Sequence, residues 1–361
     1  MFLVQLFIFM LILSLFLDKF KLGQILNFLM IFLIIIIILG FVDYTPDKKF
    51  YEYWIYNIPD HLEPFFKLSA TYLVKHQYGY KELHLFFIST YTFILLFLIS
   101  RFSNKLFLIS LLHISTILIF YVTQLRYFMG FYAVCLGIYY FYVSRNLLLA
   151  IFFLVFGMSN HYGLISFVAI IPFFHIKTDK ILSKLVIVTI IILLVTLFIV
   201  GVGAAAFSQV RFIGYFVSEL QSSFLGGLLT FLPYIIIVYF IQQLHKKNIS
   251  KNSNITDDKK YHFLYIMSIT NICLLGVALI TQVVGHRMIM PATLFQILFV
   301  FYSMKYYDGD EKAILVIKFI SIVVIFLFYM YVFTELIAGG GSSEDIIKIF
   351  TSNKLLNLFL F

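Results

Sequence analysis

Charge is what this 361-residue sequence has least of: 12% of its residues are Asp, Glu, Lys or Arg, against about 25% in a soluble domain. Too few charges remain to coat a water-facing surface, which excludes an ordinary soluble fold. Cysteine is nearly absent as well. Cys135 and Cys273 both fall in apolar stretches, where a thiol behaves as a small hydrophobe, and they supply neither a disulfide framework nor a zinc site. No Walker-type phosphate loop and no nucleophile elbow occurs, so ATP-driven transport and serine-hydrolase chemistry have no support. There is no internal repeat. The first segment lacks the basic start and the small-residue cleavage site of a signal peptide and reads as a retained helix.

What is present is apolar. Hydrophobic residues make up 62% of the chain and its mean hydropathy is +1.02. Stretches of 18 or more apolar residues recur, each long enough to cross a hydrocarbon core of ~30 Å as a helix. The run Leu33 to Leu39 does not alternate as a barrel strand would. The fold class is therefore all-α: a polytopic integral membrane protein of about 12 transmembrane helices, treated as one membrane domain. Spans are expected near 2–17, 22–42, 84–100, 106–123, 127–143, 147–159, 162–176, 185–203, 224–244, 262–282, 288–306 and 313–336. The short pair 147–159 and 162–176 reads either as two tilted helices meeting at Ser159-Asn160-His161 or as broken helices lining a cavity.

The net charge of +9 is spread over short loops, without the basic domain or helix that nucleic acid requires, so no nucleic-acid partner is expected. Summed over alternate loops, the Lys and Arg excess falls on the side holding Lys19, Lys21, Arg101, Lys105, Lys246, Lys247 and Lys312. That side is assigned to the cytoplasm, and both termini to the outside. Residues 43–83 then form the largest outer loop, with Glu63-Pro64 opening an amphipathic helix at the interface. Residues 245–261 read as a mobile cytoplasmic linker, and 338–361 as an outer tail with a break at Gly339-Gly340-Gly341 before a short amphipathic stretch.

Charges at membrane depth are costly and mark function by default. Arg126, Arg287 and Arg211 lie on the outer side, where the positive-inside rule gives no reason for them, and His161 sits at the apex of a tight turn. Each has a plain alternative: an interfacial arginine can snorkel to lipid phosphate, a lone histidine can be structural, and Glu63 can serve a helix start. Together, arginines and a histidine on one side suit a pyrophosphate-bearing substrate, because guanidinium grips phosphate bidentately. Asp308-Gly309-Asp310 has a metal-binding spacing but lies in a charged turn and reads as a solvated loop. No set of residues has zinc spacing, and neither metal nor cofactor is expected.

These residues carry a family likeness. Gly40-Phe41-Val42-Asp43-Tyr44, Glu63-Pro64, Thr123-Gln124-Leu125-Arg126 and Ser159-Asn160-His161 each stand at the mouth of an apolar span. With them the chain resembles the EpsG-like, Wzy-type polymerases of bacterial O-antigen, capsule and exopolysaccharide. Members often carry an arginine just before the Gly and Asp of the first outer loop; here Phe41 and Val42 stand in that region, and Arg126, Arg211 or Arg287 would have to replace it. The resemblance implies a glycosyltransferase in the bacterial cytoplasmic membrane. It would transfer a growing glycan from undecaprenyl pyrophosphate to a lipid-linked repeat unit, alongside a chain-length regulator and other assembly proteins. Arg126 and Arg287 would stabilise the leaving pyrophosphate. His161 would act as base, with His286 and Glu63 in reserve, and Arg211, Gln124, His286 and Asp43 would contact substrate. The alternative is a flippase for the same lipid-linked glycans, although the paired halves of many transporters are absent. A glycan acyltransferase would need its histidine on the other side, and a scaffold would not need polar groups at outer turns.

Overall fold

The computed structural model describes residues 2–60, 62–176, 178–198, 224–281, 288–329, 342–353 and 355. Their regular structure is all helical, with one isolated bridge, Val42 to Asn353, and no strand among the described residues. Among the described residues, five helical stretches are long and apolar enough to cross a membrane: Lys21–Gly40, Tyr80–Ser100, Leu106–Thr123, Lys180–Phe198 and Lys259–Ala278. Leu147–Asn160 and Tyr162–His175 are shorter apolar helices. The chain divides into two compact units, one of Met1–Ala169 with Gly340–Phe361, the other of Ile170–Gly339.

The first unit contains α1 (Phe2–Leu17), α2 (Lys21–Ile35), α3 (Lys48–Tyr56), α4 (Pro64–Lys75), α5 (Tyr80–Ser100), α6 (Leu106–Thr123), α7 (Leu125–Tyr142), α8 (Leu147–Asn160) and α9 (Ile165–Val168). Its core is α7, buried on every face from Tyr127 to Tyr140, as befits a helix that is apolar all round. α8 lies against it through two glycines. A Cβ on Gly130 would meet the Gly157 carbonyl oxygen at 2.6 Å, and one on Gly157 would meet the Gly130 oxygen at 2.8 Å, so only glycine permits this crossing. The opposite face of α8 is bare hydrocarbon, Leu148 being 81% exposed.

α2 widens at its end into a π-helical turn, Ile36–Gly40, a distortion frequent at functional sites. Its freed carbonyls are answered from afar. His84 Nδ1 lies 3.3 Å from the Gly40 oxygen, and its Nε2 lies 3.3 Å from the Val122 oxygen. Asn353, just beyond α16 (Ser342–Thr351), donates from Nδ2 to the oxygens of Ile37 and Ile38 at 2.8 and 2.7 Å. The expected amphipathic stretch in the tail is α16; the break at Gly339-Gly340-Gly341 lies outside the described residues.

The loop between α2 and α5 carries two helices. α4 starts as the sequence indicated, with Glu63 at the cap and Pro64 in its first turn. α3 was not foreseen. It is amphipathic, burying Tyr51 and Ile55 while Phe50, Tyr53 and Tyr56 stay exposed.

The second unit holds a 3₁₀ turn at Ile171–His175, α10 (Thr178–Phe198), α11 (Phe224–Lys251), α12 (Lys259–Ile269), α13 (Leu275–Ala278), α14 (Thr293–Ser303) and α15 (Gly309–Phe328). The span expected at 262–282 breaks at Thr270–Leu274 into a 3₁₀ turn, and the one at 162–176 consists of short 3₁₀ and α pieces. Thr270 and Asn271 are buried at their break, which keeps irregular backbone away from lipid. Where a polar linker was expected, α11 continues to Lys251 and a 3₁₀ turn fills Ser253–Asp257. Asp258 then caps α12, accepting from the Lys260 and Tyr261 amides, and receives Lys305 and Tyr302 at 2.8 Å each. Burial alone would raise this carboxyl, but those hydrogen bonds outweigh it and hold it below its usual range.

Candidate active site

Arg126 opens α7 one residue after Leu125, directly beyond the turn at Gln124 that ends α6. A guanidinium at the end of so apolar a helix needs partners, and the loop brings them. Arg126 Nη1 is paired with Glu63, the two side chains being 15% and 10% exposed. The guanidinium also lies 5.0 Å from the Trp54 ring centroid and 5.3 Å from that of Phe66, close enough for cation–π attraction. Tyr51, buried behind them, accepts from the arginine through its hydroxyl oxygen. Burial pushes the Tyr51 phenol up, against the pull of Arg126, so it stays neutral while its oxygen accepts from the guanidinium. α3 and α4 therefore fold onto α7 around a single cation.

The other half of the site comes from α8. His161 follows its last turn with extended backbone, and its ring meets Tyr127 edge to face at 5.3 Å. The Gly130–Gly157 crossing fixes this approach, because His161 lies one turn beyond Gly157. Asn160, fully buried, donates from Nδ2 to the Phe156 oxygen at 2.8 Å. Among the described residues, Asn160 Oδ1, Gln124 Oε1 and Arg126 Nε are buried without a hydrogen-bond partner. Such atoms are costly to leave unmet and are what a site built for a polar ligand presents.

Of the residues singled out in the sequence, Arg126, Glu63, Gln124 and His161 thus gather at one end of the first unit. Asp43 is at the same end but apart from them, paired with Lys81 at 3.5 Å. Arg211, His286 and Arg287 lie outside the described residues. Trp54, Phe66, Tyr51 and Asn160 were not singled out; only Asn160 had a signal, its place in Ser159-Asn160-His161. Among the described residues no three His, Cys, Asp or Glu side chains are placed to hold a metal ion.

Apolar helices long enough to span a bilayer, broken segments kept in the interior, and a boxed arginine at a helix mouth define a multi-pass helical membrane protein with a polar site at the end of one bundle. The family model described as the EpsG family matches residues 28–343, and the chain belongs to that family. No curated protein and no solved structure matches it.

Proposed function

We propose that this protein is a polysaccharide polymerase. In this reading it is a membrane glycosyltransferase of about twelve spans that joins undecaprenyl-pyrophosphate-linked repeat units at the outer face of the bacterial cytoplasmic membrane. The observation that supports it best is the Arg126–Glu63 pair, a guanidinium held in a nearly dry aromatic box with its Nε edge unengaged.

The chemistry follows from that geometry. The pyrophosphate of the donor is a stronger bidentate partner for guanidinium than one carboxylate oxygen. As it docks on Arg126 it displaces Glu63, which becomes a free carboxylate beside the reacting centre. The acceptor hydroxyl attacks the anomeric carbon, its proton passing to His161 or Glu63, while the anomeric C–O bond to the pyrophosphate breaks. The lipid pyrophosphate leaves with the bonding pair, its charge stabilised by Arg126. A preorganised cation in a water-poor site contributes on the order of 10²–10³ in rate to such a step.

The test is the surface-glycan profile of the organism with this gene deleted and then restored. A ladder reduced to one repeat unit and recovered on complementation supports the reading. Lipid-linked units trapped on the cytoplasmic side would overturn it in favour of a flippase.

A further inference from the structure

Beside the arginine site, the same end of the first unit carries a second concavity. It is a cavity of about 200 Å³ lined by Gly40, Phe41, Val42, Asp43, Lys81, Glu82 and Leu85. That is below the ~300–1,000 Å³ of drug-sized sites and leaves room for one ring. Its floor is apolar and its rim charged. A Cβ on Gly40 would come within 2.9 Å of Leu85 Cδ1, so the glycine keeps the two walls at their present separation.

The lining selects its ligand. Asp43 faces the Lys81 ammonium, and Glu82, whose carboxylate accepts from the Gly79 amide at 2.8 Å, adds a second negative charge to the lining, so a phosphate would be repelled and a cation would meet Lys81. An acyl chain would strip water from all three charges. A neutral polyhydroxyl ring meets none of these costs. Phe41, 39% exposed, offers a flat apolar face for the C–H side of a sugar. Lys81 Nζ and Asp43 Oδ1 stand 3.5 Å apart, beyond a good N–H···O bond. The pair is largely exposed on the lysine side, so parting it costs little. A sugar hydroxyl can accept from the ammonium and donate to the carboxylate, using both.

The cavity is also braced. The backbone of Val42 is bridged to Asn353, the Tyr44 amide donates to Ser352 Oγ at 3.0 Å, and the Tyr44 hydroxyl donates to Asp345 at 2.7 Å. Behind it, the Thr45 and Tyr80 hydroxyls are 2.6 Å apart, and Tyr80 lies against Tyr51, which reaches Arg126. The cavity and the arginine thus belong to one rigid framework.

We propose that this cavity is a subsite for a single neutral sugar ring, with Phe41 as its stacking face and Asp43 and Lys81 as its hydrogen-bonding pair. Resting on the polymerase reading, that ring is one residue of the glycan whose pyrophosphate end occupies Arg126.

The experiment is saturation-transfer NMR on the full chain in lipid nanodiscs. The probes are the methyl glycosides of glucose, galactose, mannose, N-acetylglucosamine and N-acetylgalactosamine, and inorganic pyrophosphate. At least one glycoside is expected to bind, with its affinity lowered tenfold or more by Phe41→Ala and by Lys81→Ala and retained in Phe41→Trp. Both residues are surface-exposed, so the variants fold. The proposal is overturned if no glycoside binds, if binding ignores Phe41→Ala and Lys81→Ala, or if pyrophosphate displaces the sugar competitively. Because a single glycoside is bound without being polymerised, sugar binding that persists alongside an unchanged ladder in the deletion strain supports the subsite while refuting the polymerase.

Discussion

At the residue scale, the arginine and the carboxylate are one device. Removing either partner of a buried pair leaves the other uncompensated, at a cost of ~3–5 kcal/mol. Glu63→Gln should therefore lower thermal stability while keeping Arg126 in place through Trp54 and Phe66. Arg126→Lys should fail as a rescue, since an ammonium has no bidentate fork. We expect Arg126→Lys to cut polymer output by about 10²-fold at unchanged protein level, read from the glycan ladder against an immunoblot of the membranes. A wild-type ladder would remove Arg126 from the chemistry. His161→Ala should abolish the ladder if it is the base; activity that survives there but disappears in Glu63→Gln would assign the proton to Glu63.

How much of this was legible varies residue by residue. Arg126, Glu63 and His161 stood out because polar groups at apolar helix ends are conspicuous in a sequence this poor in charge. That Arg126 and Glu63 are partners was not legible, since 63 residues separate them and no local periodicity links loop to helix. Trp54 and Phe66 were invisible for the opposite reason: in a chain with 20% aromatic residues, two more rings carry no signal.

Among the elements, the α7–α8 crossing positions the site. Gly157→Ala would press a methyl to within 2.8 Å of the Gly130 oxygen and 2.5 Å of Val134 Cγ2. Overpacking of this kind costs ~1–3 kcal/mol. We expect a lowered melting temperature together with weakened activity, because His161 rides on the displaced turn; a variant with normal stability and activity would show that the crossing is slack. In the second unit, Asp258 ties α12 to Tyr302 of α14 and to Lys305 in the 3₁₀ turn just beyond it. Its depressed carboxyl contributes stability that is fully present above the usual value of 3.8 and is lost as pH falls through the lower folded value. Asp258→Asn should flatten the acid limb of a melting-temperature profile recorded below pH 4. The helices at 106–123 and 147–160 were readable from hydropathy alone. The broken helix in 162–175 was one of the two readings its short length allowed; the 3₁₀ break at Thr270–Leu274 was not readable, because hydropathy records which residues avoid water and says nothing of where the hydrogen-bond register slips. Helix α3 escaped for a related reason: its Tyr, Phe and Trp residues are indifferent helix formers, and packing against α4 and α5 stabilises it.

At the scale of the whole molecule, the sidedness drawn from Lys and Arg counts has a direct check. Cys135 is fully buried and Cys273 partly so, and the labels are placed in a background carrying Cys273→Ser. A single cysteine at exposed Tyr53 should react with a membrane-impermeant maleimide on intact cells, and one at Ser250 only after lysis. The reverse pattern would invert the assignment and set the arginine site on the cytoplasmic side.

The clasp of Asn353 on the π turn bears on how the molecule is made. The first unit is discontinuous: residues 37–44 exchange hydrogen bonds with residues that leave the ribosome some three hundred positions later. Until then the carbonyls of Ile37 and Ile38 lack this donor, and the wall carrying Asp43 lacks its brace. Synthesis as far as Asn353 is thus a checkpoint on assembly, so a chain truncated before that residue would insert its helices and yet lack a finished mouth.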